Sequence, residues 1–262
     1  MFITTLPYSK QHFIIKKITF TEMFDISRLL YEEDTESALL YLETFFGICN
    51  FNVIDKFYVL LKARELYSDD TISINANESS VKIRVSRMLD QLYDIKNFEQ
   101  TINHEGIQIT LDIPAAFITS KKQVYDHIIK KIQIDDTVIS FDNITNTERD
   151  YILASLPTSF FKLMHDFLDT IDIEVELYEG KESLKIGSIT VNFLEQDPAI
   201  LLLSIYSEYT LSSCREIMFY LSKKISDTLL LQSTMSDIKF YMEEYNKEKK
   251  QSGNSGISDL QA

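Results

Sequence analysis

Residues 13–67 read FIIKKITFTEMFDISRLLYEEDTESALLYLETFFGICNFNVIDKFYVLLKARELY, and their punctuation decides the fold. A short β-branched run, residues 12–18, reads as a strand. It is followed by Thr19-x-x-Glu22, the pattern in which two side chains reciprocally satisfy the free amides of a helix start. Phe20, Met23, Phe24, Leu30 and Tyr31 then share one helical face. The acidic turn Glu32-Glu33-Asp34 opens a second helix, predicted over residues 36–46, and Gly47 stands where a left-handed cap ends a helix. A third helix is predicted over residues 53–67, with Ile54, Phe57, Tyr58 and Leu61 on its apolar side and Asp55, Lys56, Lys62 and Glu65 on its wet side.

Beyond Tyr67 the period changes from helical to alternating. Residues 71–74 and 80–85 read as one hairpin, and a short helix at 88–93 separates it from a second pair of strands at 98–102 and 107–113. Val124, Ile128 and Ile132 recur every four residues and predict a helix over 121–132. Helices are predicted again at 147–156 and 159–170, with Pro157 as the break between them. Residues 173–178 and 184–193 form a third expected hairpin. Asp197-Pro198 then starts a run of helices reaching about residue 250, ahead of a small, polar tail. The fold class is therefore α+β, predominantly helical with inserted antiparallel β-hairpins. The expected organisation is an N-terminal segment, 1–120, a second helical segment with one hairpin, 121–250, and a flexible tail, 251–262, with one continuous domain as the alternative.

Composition narrows the function classes. The 262 residues are 45% hydrophobic and 12% aromatic, enough for a large core, and the formal net charge of −14 argues against a phosphate-backbone grip. The short basic pairs Lys121-Lys122 and Lys130-Lys131 read as helix rims. Cys49 and Cys214 are too few for a disulfide scaffold and read as small buried hydrophobes in a reducing compartment. The first residues lack the basic start and apolar core of a secretion signal. The longest apolar runs are far shorter than the roughly 20 residues of a membrane span.

The residues offer no chemical motif. His12, His104, His127 and His165 have no metal-ligand spacing. The six glycines form no phosphate-cradling loop, and no serine lies in a nucleophile motif. The acidic groups Glu32-Glu33-Asp34, Asp69-Asp70, Asp135-Asp136 and Glu243-Glu244 read as solvated helix caps and rims. No catalytic, cofactor-binding or metal-binding residues are expected. The competing enzymatic reading rests on scattered carboxylates and a histidine such as His165 beside Asp166.

The order of elements in residues 13–74 resembles the baseplate hub and hub-assembly proteins of T-even-like tailed bacteriophages. The features that carry it are a leading strand, Phe20-Thr21-Glu22-Met23 into a first helix, Gly47-Ile48-Cys49 closing a second, and Asp55 near the start of a third that runs to Lys62-Ala63-Arg64-Glu65-Leu66, followed at once by a β-insert. Some relatives carry paired cysteines in that insert. Residues 70–85 have none, so a metal-stabilised insert is not carried over. The resemblance implies a non-enzymatic hub assembly protein working in the host cytoplasm by docking other tail baseplate hub proteins, or a hub subunit retained in the virion. Two apolar groups are candidate contacts. Phe45, Phe46, Phe51 and Phe57 read better as core, whereas Leu231, Met235, Ile238, Met242 and Tyr245 form a stripe stepping by four and three residues near the C-terminus and are the expected partner-binding residues.

Overall fold

The computed structural model describes residues 2–251 apart from 69, 77–78, 97, 105, 120–123, 180–183 and 208. Parts of the three expected turns, the start of the helix expected from Lys121, and the tail beyond Gln251 lie outside the described residues.

The three N-terminal helices form where their local signals place them. Helix α1 (Phe20–Tyr31) starts at Thr19, whose backbone N–H donates to Glu22 Oε2 at 2.7 Å, closing the capping box. Helix α2 (Thr35–Phe46) is capped by Asp34, which accepts from the Ser37 amide at 3.0 Å. It ends at Gly47, whose φ of 74° lets Ile48 N–H reach back to the Glu43 carbonyl. Helix α3 (Val53–Tyr67) has the bounds its pattern predicts, and Asn52 accepts from the amides of Ile54 and Asp55, each at 3.0 Å.

Helix α3 has no wet side over its first two turns. Asp55 and Lys56 are as buried as Phe57 and Leu60, while Lys62 and Glu65 are half-buried and bonded to each other. The periodic pattern identifies polar residues but says nothing of partners, and here the partners exist. Asp55 accepts from the backbone N–H groups of Tyr8 and Ser9 at 2.8 and 3.0 Å, and Lys56 donates to Glu43 on α2 at 2.6 Å. Helix α3 is thus the axis of the molecule, packed by α2, by a leading hairpin, by α4 (Val85–Leu92) and by α8 (Asp197–Tyr206).

That leading hairpin is β1 (Phe2–Thr5) paired antiparallel with β2 (His12–Ile15), so the single expected strand is one half of a ribbon. Strands β3 (Thr71–Ala76), β4 (Ser79–Arg84), β9 (Asp172–Glu179) and β10 (Leu184–Asn192) form one sheet in the order β10-β9-β4-β3. Strands β5 (Glu99–His104), β6 (Ile107–Asp112), β7 (Ile129–Ile134) and β8 (Thr137–Ser140) form a second, in sequence order.

The helix expected over 121–132 is corrected by the second sheet. Among the described residues of that stretch only α5 (Val124–Ile128) is helical, and the chain then turns into β7, which pairs Ile132 with Ile109 of β6. Asp135 and Asp136, read as helix rims, are the two-residue turn between β7 and β8, with Asp135 at φ 50°. Lys130 and Lys131 are exposed strand residues rather than a helix rim.

The boundary expected near residue 120 does not separate two cores. Each four-stranded sheet draws strands from both sides of it, and α1 packs on α8, α9 (Leu211–Leu221) and α10 (Asp227–Gln232). The buried Tyr206 hydroxyl donates to the Leu60 carbonyl at 2.9 Å, and the Phe20 amide donates to the Ser233 carbonyl at 2.7 Å. The Phe57 and Phe193 rings meet edge to face at 4.9 Å across the same divide, a contact worth about 0.5–1.5 kcal/mol beyond its area. Pro157 does separate α6 (Asn146–Ser155) from α7 (Thr158–Leu168), and α11 (Met235–Gln251) closes the described chain.

Candidate docking surfaces

The groups that could do chemistry lie apart. Among the described residues no three His, Cys, Asp or Glu side chains gather as a metal site. His12 is exposed on β2, His104 stacks edge-on against Phe160, and His165 and Asp166 are exposed on α7. Consecutive helical positions point about 100° apart, so His165 and Asp166 do not converge. Cys49 is exposed, contrary to its reading as a buried hydrophobe. Cys214 is buried 3.6 Å from Ser27 Oγ, and burial pushes its thiol pKa up.

The apolar stripe of α11 faces inward. Met235 and Ile238 are each 1% exposed and belong to the core, Met242 and Tyr245 are half-buried, and Leu231, also half-buried, lies on α10, so the single expected stripe is divided between two helices. Ser236 Oγ donates to the Ser68 carbonyl at 2.7 Å, and Asp237 closes the N-terminal turn of α11 on Thr234 while facing Lys17 at 3.8 Å. The stripe is therefore the seam by which α11 packs on the body. Its expected availability to a partner is corrected for Met235 and Ile238. The spacing shows that a face will be covered, and here the chain's own residues cover it. The exposed aromatic of this helix is Phe240, 57% accessible and outside the stripe. Phe46 and Phe57 are core, and Phe45 and Phe51 pack against it.

Sequence reading missed the outer edge of the β9–β10 hairpin. On β10, Leu184, Ile186 and Ile189 are 70%, 48% and 44% exposed, and no described strand pairs with its far side. Cross-strand partners share a face. Val191 with Ile173 and Ile189 with Val175 therefore lie on the core side of the sheet, while Thr190 with Glu174 and Ser188 with Glu176 lie on the outer side. The register shifts between Lys185 and Gly187, so the apolar alternation Leu184, Ile186 changes parity before Ile189 and Val191. That alternation was legible, but it reads the same in an edge strand as in a central one. On the outer face Lys185 Nζ donates to Glu176 at 2.6 Å, and this bond, with one from the Tyr178 hydroxyl, holds the Glu176 carboxyl below the usual glutamate range. The ribbon of β1 and β2 adds a smaller apolar patch, the exposed cross-strand pair Ile3 and Ile14.

These observations define an α+β protein with one shared core, exposed aliphatic side chains at sheet edges, and no gathered reactive groups among its described residues. The chain belongs to the T4 bacteriophage base plate protein family, whose family model matches residues 2–194, from the first strand to the loop after β10. It is a phage baseplate protein, and membership implies contacts with other baseplate proteins. No curated protein and no solved structure matches the chain. Among the described residues no helix is long and apolar enough to cross a membrane.

Proposed function

We propose that this baseplate protein is a non-enzymatic hub assembly factor, acting in the host cytoplasm by docking other hub proteins and absent from the finished particle. The observation that carries the reading is the family match over residues 2–194, which spans α1 to α3 and both four-stranded sheets and contains residues 13–74, where the order of elements resembles hub proteins. Exposed aliphatics at the β10 edge and on the leading ribbon support action through surfaces rather than through a reactive centre. A hub subunit retained in the virion would use the same surfaces, so copy number in the particle separates the two.

Quantitative mass spectrometry of purified virions, run beside an affinity pull-down of the tagged chain from infected cells, tests the reading. Absence from virions with tail proteins in the pull-down is the expected result. Fixed copies in the virion would make the chain a hub subunit, and a pull-down without tail proteins would overturn the baseplate assembly reading.

A further inference from the structure

The outer side of the α1–α2 hairpin is a helix face that the described residues leave uncovered. Glu36, Leu40 and Thr44 stand one turn apart in an exposed row along α2, and Tyr31 ends α1 just before the turn. Leu40 and Tyr31 are 60% and 74% exposed, whereas the opposite side of α2 puts Ala38, Leu39, Leu42 and Phe46 into the core.

The charge of this tip has one sign. From Leu29 to Asp55 the chain has no lysine, arginine or histidine. Four carboxylates of the hairpin are engaged within the fold. Glu22 closes the α1 capping box, Asp25 faces Arg28 at 3.5 Å and accepts from the Tyr41 hydroxyl at 3.3 Å, Asp34 caps α2, and Glu43 holds Lys56. Glu32, Glu33 and Glu36 are exposed, and among the described residues no hydrogen bond or ion pair engages their side chains. Neighbouring elements do not supply the missing cations. Helices α8 and α10 carry none, those of α3 are buried or half-buried, Lys16 is committed to the Phe45 carbonyl at the far end of α2, and α9 brings Arg215 alone. Glu33 also sits at φ 59°, in the left-handed region that glycine takes most readily, so a carboxylate occupies the turn where the backbone favours glycine.

Apolar side chains edged by unmatched carboxylates complement an apolar stripe edged by cations. A helix has no open N–H or C=O groups along its length, so the contact is between side chains, as when one helix packs on another. A second copy of this chain is disfavoured, because it would bring another body of net charge −14 and the same carboxylates. We propose that the α1–α2 tip docks a lysine- or arginine-rich amphipathic helix of a partner baseplate protein, with its apolar stripe on Leu40 and Tyr31 and its cations on Glu32, Glu33 and Glu36. This rests on the docking reading above and names a surface for it and the chemistry of its partner.

The test titrates the full chain with a synthetic leucine–lysine helix carrying one leucine stripe, following backbone amide shifts by NMR and affinity by calorimetry. Shifts centred on residues 31–40 are expected, with binding weaker by about tenfold or more when glutamate replaces lysine in the peptide. Glu32→Gln, Glu33→Gln and Glu36→Gln together should weaken binding about tenfold at unchanged melting temperature, because these carboxylates hold nothing among the described residues. The same change of charge at the exposed Asp135, Asp136 and Asp142, each to Asn, should leave affinity within about twofold, which separates the tip from the overall negative charge of the chain. Should the triple glutamine variant misfold, Leu40→Ser alone keeps every charge and should weaken binding about fivefold. No binding, shifts centred elsewhere, equal losses in the two triple variants, or self-association through the tip would overturn the proposal. If tail proteins still co-purify after such a failure, the assembly reading stands; if wild-type protein captures none, that reading fails whatever the peptide does.

Discussion

Lys56 Nζ lies 2.6 Å from Glu43 Oε2, with the two side chains 2% and 12% exposed, so a desolvated charge pair ties α3 to α2. A buried pair adds little over an apolar replacement of both partners, but half of one is costly. Lys56→Met should lower stability by about 3 kcal/mol in urea unfolding, and adding Glu43→Leu should restore most of the loss. Equal destabilisation in the single and double variants would show that the pair is not the cause.

Asp55 fastens the N-terminal turn to the start of the axis helix through the Tyr8 and Ser9 amides. Asp55→Ala leaves both donors and should cost about 2–4 kcal/mol, with the β1–β2 ribbon losing amide protection first. Hydrogen exchange of residues 2–15 measures this directly, and unaltered protection there would refute it.

The two faces of α11 should respond oppositely to charge. Met235→Asp buries a carboxylate and should unfold the protein or lower its melting temperature by about 6–12 °C or more, corresponding to about 3 kcal/mol or more. Phe240→Asp, at an exposed position, should leave stability within about 0.5 kcal/mol, so any loss of tail-protein capture by that variant reports docking rather than folding.

His127 is half-buried beside Asp126 and Arg149, and its pKa is lowered from 6.5, chiefly by burial, with Arg149 adding and Asp126 opposing. Its neutral form is the one the fold prefers. Its contribution is therefore fully present above pH 6.5 and is lost as pH falls through the depressed folded value. Wild type should lose stability between about pH 7 and pH 5 more steeply than His127→Gln, as read from denaturant midpoints at each pH. Parallel profiles would remove His127 as the cause.

The helix ends were legible because their determinants are local. Thr19 with Glu22, Asp34 and Gly47 each act within one turn of chain. The β7 strand was not legible, because Val124, Ile128 and Ile132 satisfy a helical period, and the choice fell to pairing between Ile132 and Ile109, 23 residues earlier in the chain. The α11 stripe was legible as a face that must be covered, but not in what covers it.

By itself the sequence determined the α+β class, most of the hairpins, and the order of elements that resembles baseplate proteins, since capping, turns and period depend on neighbours within a few residues. The tertiary structure decided that Asp55 and Lys56 are core, that Met235 and Ile238 are a seam, and that Ser188 and Thr190 lie on an open edge. Burial and edge position belong to pairs of distant segments, such as Lys82 against Tyr178 or Phe57 against Phe193, and each is set only when one shared core brings the two together.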